Sequence, residues 1–310
     1  MKVWRLVIIS SALALLVILT ILGAMLFMPP SETAFLASLN DKYELLTTTE
    51  SPKIIFVGGS STAFGIDSEK IEKELNYRVV NSALVGGIGL RYSLEFVKNT
   101  LNDGDIVIVA PEYIHLFFAK VKKGAFNNAL VQFPHSFTFL SLTDDPVSLS
   151  EMLLQIQNRA RYFLEMKKPI EGDIYSRKSF NKYGDMVAHL DSKSDRTPSK
   201  KGSIKYQDLD PRTIKQINDF HEFSTKKGVH TFMTFSPYPI TFKSGSTSGQ
   251  EWVEELGNQI SMPIISNPDT YSFPLEYFWD SASHLNATGR QHRTEILIED
   301  IKNAFNESNI

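Results

Sequence analysis

The apolar residues divide the chain into two unlike parts. From residue 6 to residue 28 no charge interrupts a run rich in Leu, Ile, Val and Ala. At 1.5 Å per residue a helix of this length crosses the roughly 30 Å hydrocarbon core of a bilayer, and Pro29-Pro30 closes it. A cleavable signal peptide has a shorter apolar region, roughly 7–15 residues, so the run reads as an uncleaved transmembrane anchor. Beyond it the pattern becomes short alternating blocks. Segments of strand length lie at 54–57, 77–80, 105–110, 229–235 and 263–265, continuously apolar over 54–57 and 106–110. Between them come stretches of helical spacing: Ile71 and Leu75; Leu94, Val97 and Leu101; Ile214, Ile217, Phe220 and Phe223; Ile296, Leu297, Ile298 and Ile301.

Local signals bound these helices. Ser68 is placed to cap a helix through Leu75. Asn102-Asp103-Gly104 stops the helix over 91–101, and Asp210-Pro211 opens one that Lys227-Gly228 ends. A further helix is expected over 251–260, and the last one runs to about Phe305. Strand and helix in alternation predict βαβ units with right-handed crossovers. The continuous apolar runs suit a parallel sheet covered on both faces. The expected class is therefore α/β, with an anchor over 1–30, a stalk over 31–51 that begins to pack on the domain through Phe35, Leu36 and Leu39, and one domain over 52–306. Residues 116–205 break the rhythm. Their aromatics (Phe117, Phe118, Phe133, Phe137, Phe139), a helical stretch over about 150–165 and a polar tail read as an insertion over one sheet edge, a lid or a docking surface for a partner.

Composition changes the picture at three points. The net charge of −3 and the lack of a long basic run argue against nucleic acid as a partner. There is no cysteine, which excludes disulfides and thiolate metal sites. Lys2 and Arg5 precede the apolar run, so the positive-inside rule keeps the amino terminus cytoplasmic and puts the domain outside. The lipid bilayer is thereby an expected partner through residues 6–28.

Chemistry-bearing residues gather in three blocks. Gly58-Gly59-Ser60-Ser61 follows the first strand, where open α/β folds bind ligands; the same residues also suit a plain Gly-Ser turn. Asn81-Ser82-Ala83-Leu84-Val85-Gly86-Gly87-Ile88-Gly89 follows the second, and its glycines imply close backbone approach or φ > 0. Neither a Gly-Lys-Ser/Thr phosphate loop nor a dinucleotide fingerprint is present, so no cofactor is expected. Asp280 and His284 precede the last helix. An aspartate beside a histidine fixes its tautomer and leaves the other ring nitrogen to deprotonate a serine. A metal site is the rival reading, and it lacks a second histidine or carboxylate at ligand spacing. A surface aspartate and a helix-capping histidine are the plainer one.

In this order the three blocks resemble the SGNH (GDSL-type) hydrolase superfamily, and most closely its membrane-anchored members found beside polysaccharide O-acylation systems. The resemblance covers about residues 52–305, the 116–205 insertion apart. It implies a flavodoxin-like three-layer sandwich around a five-stranded parallel sheet. It also implies Ser60 as nucleophile, with Ser61 as a second candidate, His284 as base and Asp280 as its orienting acid. Gly59 stands where the family often has Asp. The resemblance places the oxyanion hole at the amides of Ser60 and Gly86. The chain departs from the family in two places: Ala110-Pro111-Glu112-Tyr113 stands where a hole-completing asparagine is usual, and the Asp-to-His spacing is one residue longer. The implied activity is an acyl esterase or O-acyltransferase on acylated polysaccharide or another ester. The alternative is a non-catalytic accessory subunit that binds glycan or a membrane-bound O-acyltransferase.

Overall fold

The computed structural model describes residues 2–27, 29–119, 122–133, 173–194 and 196–308, with a few isolated positions besides. The centre of the fold is β1 (Lys53–Gly58), whose six residues are all buried. It is flanked by β2 (Arg78–Asn81) and β3 (Ile106–Ala110), and β4 (His230–Met233) lies outside β3, giving the order β2-β1-β3-β4 with every pair parallel. Side chains alternate across the sheet, as a period of two requires. Ile54, Phe56, Ile106, Ile108 and Phe232 face Ile71, Leu297, Ile298 and Ile301. Ile55, Val57, Val107 and Val109 face the opposite layer with Leu94, Val97, Ile217 and Phe220. Both faces are covered, and this is why these strands carry no polar alternation.

Among the described residues the sheet has four of the five strands expected. Where a strand was predicted over 263–265, Ile264 makes a single parallel bridge to Met233, through Met233 N donating to Pro263 O (2.8 Å) and Ile265 N to Met233 O (3.0 Å). Pro263 has no N–H with which to extend the ladder.

Helices fall close to their predicted places. The helix predicted to begin at Ser68 spans Ser68–Leu75, but its cap is Asp67, whose carboxylate accepts from Lys70 N at 3.2 Å. The Ser68 hydroxyl instead donates to the buried Asp185 carboxylate at 2.6 Å. Asp210 caps Pro211–Lys226, and Ser248 with Glu251 forms a reciprocal capping box on Gly249–Gly257. The last helix is Ala287–Ser308.

The amino-terminal apolar run is a helix, Lys2–Phe27, with a window over Val3–Ile21 of mean hydropathy 2.3 and none of it buried in the protein. It is long and apolar enough to cross a membrane. The stretch read as a stalk packs on the domain almost at once. Helix Ser38–Thr48 buries Leu39 and Leu46, and places Lys42 with its ammonium on Asn81 O (2.9 Å) and Gly184 O (2.6 Å). Burial lowers the Lys42 pKa to about 7.

The described part of the insertion is not a detached flap. Helices Tyr113–Phe117 and Lys123–Gln132 send Leu116, Phe126, Leu130 and the neighbouring Phe133 into the core. Phe117 packs on Trp252 (6.0 Å between centroids), while Phe118 is exposed. Phe137, Phe139 and the helical stretch near 150–165 lie outside the described residues. Residues 173–194 return to the domain. There Asp185 also accepts from Ser68 N, Asn81 Nδ2 and Arg290, tying the segment to three elements.

Candidate active site

The carboxyl ends of β1, β3 and β4 are joined into one edge. Beyond β1, Gly59 is extended and the chain turns into the single helical turn Ser60–Ala63. Its glycine serves close approach: a Cβ there would stand 2.3 Å from Glu112 Oε1 and 2.9 Å from the Cα of Gly86. The two adjacent serines have different surroundings. Ser61 is fully buried, its hydroxyl 2.8 Å from that of Ser236 after β4, which in turn donates to Pro111 O after β3 at 3.0 Å. Ser60 is partly exposed, and its hydroxyl donates to Glu112 Oε1 at 3.2 Å. The amide of Ser61 donates to the same oxygen at 3.3 Å. Below them the buried Arg293 donates to Ser61 O at 2.6 Å. Burial lowers its pKa to about 10, which still leaves it charged at neutral pH.

The Asp280–His284 pair forms across a tight loop. Trp279 N donates to His284 O (2.8 Å), and Phe278 bridges antiparallel to Leu285. The two side chains meet over that loop, with His284 Nδ1 2.7 Å from Asp280 Oδ1, so the extra residue in the spacing does not part them. Tyr175 joins them: its hydroxyl donates to Asp280 Oδ2 at 2.5 Å and lies 3.2 Å from His284 Nδ1. Burial raises the Asp280 carboxyl, but its hydrogen bonds with His284 and Tyr175 outweigh this and hold its pKa below the ordinary value. Burial and the neighbouring Asp280 push the Tyr175 phenol far up, which keeps it a donor. Among the described residues His284 Nε2 has no partner. A neighbouring ring, His189, donates through Nε2 to Leu285 O at 2.9 Å, and burial lowers its pKa to about 4.

Phe64 connects the two halves. It follows Ser60 by four residues, its amide bonded to Ser60 O (2.9 Å), and its ring lies flat on that of His284, centroids 4.0 Å apart. Residues four apart share a helix face, so the histidine stands over the turn that Ser60 opens. Among the described residues no hydrogen bond joins Ser60 to His284. The serine is held by Glu112.

Gly86 borders the same cleft. It begins the helical turn Gly86–Ile88, its carbonyl accepts from His115 Nε2 at 2.6 Å, and a Cβ on it would stand 2.0 Å from Glu112 Oε2. The Glu112 carboxylate is thus wedged between Gly59 and Gly86, in the space where the resemblance would seat an oxyanion. The chain matches no protein-family model and no curated protein. Its chemistry rests on its own atoms: a histidine with one nitrogen tied to a carboxylate and the other free, above a turn that begins with a partly exposed serine.

Glu112, Tyr175 and Phe64 were not assigned roles by the sequence. Glu112 stood out only as a departure from the family block. Phe64 lay inside the first block as one apolar residue among several. Tyr175 sits in the irregular insertion, where no periodicity or motif marked it.

Proposed function

We propose that the protein is a membrane-anchored, extracytoplasmic serine acyl esterase or O-acyltransferase of the SGNH type, acting on cell-surface polysaccharide. On this reading Ile264 stands in the place of the fifth strand of a flavodoxin-like sheet. The observation that carries the proposal is the Asp280–His284 pair at 2.7 Å, stacked through Phe64 on the turn that Ser60 opens, with Nε2 free. Polysaccharide as the substrate comes from the resemblance of the three blocks.

In the proposed reaction the Ser60 hydroxyl turns from Glu112 to His284. Nε2 takes its proton as Oγ bonds to the acyl carbon, and the charge developing on the imidazolium is matched by Asp280. The leaving alcohol then takes that proton. The acyl group stays on Ser60 until water or a sugar hydroxyl, deprotonated by the same nitrogen, attacks it and restores the serine. Tyr175, donating to the outer oxygen of Asp280, keeps the carboxylate turned toward Nδ1.

The second reading, a non-catalytic accessory subunit, is favoured by one observation: the Ser60 hydroxyl and the Ser61 amide are both engaged by Glu112. The two readings separate in one experiment. The full-length protein in detergent is treated with a fluorophosphonate probe, and the adduct is located by mass spectrometry. Labelling at Ser60 that is lost in Ser60→Ala and His284→Ala, and strongly weakened in Asp280→Asn, supports the enzyme. Absence of labelling in the folded protein, with Ser60→Ala still supporting polysaccharide modification in cells, leaves the accessory subunit.

A further inference from the structure

The carboxylate of Glu112 occupies a site built from backbone. Gly59 and Gly86 form its walls at distances that leave no room for a methyl group: 2.3 and 2.6 Å from a Gly59 Cβ, and 2.0 to 2.9 Å from a Gly86 Cβ. Ser60 Oγ and Ser61 N point their hydrogens into it. A backbone N–H beside a nucleophilic hydroxyl is what a carbonyl oxygen needs when it becomes negative. Here both converge on a negative charge that the chain itself supplies. The backbone that carries Glu112 is fixed on both sides, since Pro111 O accepts from Ser236 and Glu112 O accepts from His115 N at 2.8 Å. Its side chain can leave the cleft without a shift of that backbone.

From this we infer that Glu112 is a positioning residue that plugs the oxyanion site of the resting protein and keeps Ser60 turned away from His284. The inference rests on the serine-ester reading above and deepens it. Two anions cannot share so small a cleft, so an acyl carbonyl enters only as the Glu112 side chain swings out. That swing releases the Ser60 hydroxyl to the free Nε2 of His284 and the Ser61 amide to the substrate. One displacement therefore assembles the nucleophile and empties the anion site. A poor ester that gains little from binding leaves the plug in place. A substrate with further contacts along the edge removes it.

The test compares Glu112→Gln and Glu112→Ala with the wild type, all full length in detergent, by the rate of fluorophosphonate labelling at Ser60. Alanine empties the cleft, while glutamine keeps the shape of the plug and removes only its charge. Emptying the cleft frees the Ser61 amide for the substrate, and a single oxyanion donor changes rates by about 10²–10³, so Glu112→Ala is expected to label on the order of 10²-fold faster than wild type. Glu112→Gln, which still fills the cleft, is expected to fall between the two. A role for Glu112 in folding alone would not raise the rate. If wild type labels at Ser60 and both variants label no faster, the plug is overturned while the esterase reading stands. If none of the three labels although all melt cooperatively, the plug and the esterase reading fall together.

Discussion

Phe64 lies flat against His284, with ring centroids 4.0 Å apart and planes within 9° of each other. The contact fixes the imidazole about one axis, and the Asp280 bond fixes it about another. Replacing Phe64 by leucine keeps an apolar side chain but removes the flat surface. Misplacement of a catalytic group by about 1 Å can cost on the order of 10² in rate. Phe64→Leu is therefore expected to slow Ser60 labelling by about 10–100-fold in a protein that still melts cooperatively. Unchanged labelling would show that the stack does not orient the ring.

Tyr175 is expected to matter through Asp280. Tyr175→Phe removes a hydrogen bond to a carboxylate, an interaction of about 1.5–3 kcal/mol, and leaves Asp280 Oδ2 to water. The predicted outcome is a fall of about tenfold in kcat for a soluble ester, with little change in KM. A change confined to KM would place Tyr175 in substrate binding instead.

Ser61 should separate stability from chemistry. Its hydroxyl is buried against Ser236, far from the exposed side of the turn. Ser61→Ala is expected to lower unfolding stability by about 1 kcal/mol and to leave probe labelling at Ser60 in place. Loss of all labelling in a folded Ser61→Ala protein would move the nucleophile by one residue.

His189 gives a pH dependence with a defined sign. Its folded pKa is lowered from 6.5 to about 4 by burial. Between these values the unfolded chain holds more protons than the folded one. The contribution is therefore fully present above pH 6.5 and declines as the pH falls toward 4, by up to about 1.4 kcal/mol per pH unit. His189→Gln keeps a donor for Leu285 O and removes the titration. Denaturant unfolding at pH 4.5 and 7 should show a smaller difference in the variant than in the wild type. Equal differences would mean that His189 does not titrate in this range.

Much of the fold could be read from apolar periodicity. Four buried strands and their covering helices appear within a few residues of their predicted places, because each is continuous in sequence and its pattern is local. The cap at Asp67 was misplaced by one residue because Ser68 is an equally good capping residue, and its hydroxyl is taken by the distant Asp185. Where a fifth strand was expected, the described residues make one bridge at Ile264, beside a Pro263 that has no N–H to give. At the candidate site, Asp280 and His284 were legible because one short loop holds both. Tyr175 was not, since its pairing with Asp280 spans 105 residues and no local pattern encodes it. The placement of Glu112 between two glycines was hidden for the same reason: three strand ends must meet before the cleft exists.

The route from the apolar helix into the domain is very short. That helix ends at Phe27, and Thr33 O already accepts from Arg177 N at 3.3 Å while Ala34 bridges to Ser176. Residues 28–32 alone remain between them, and five residues reach at most about 18 Å when fully extended. With the helix in a bilayer, the domain is held against the lipid surface and has no freedom to explore the space above it. A partner held in the same membrane would meet it by two-dimensional diffusion, at a raised effective concentration. On the proposed function, a polymer chain attached to the same membrane is therefore favoured as substrate over one free in bulk solution.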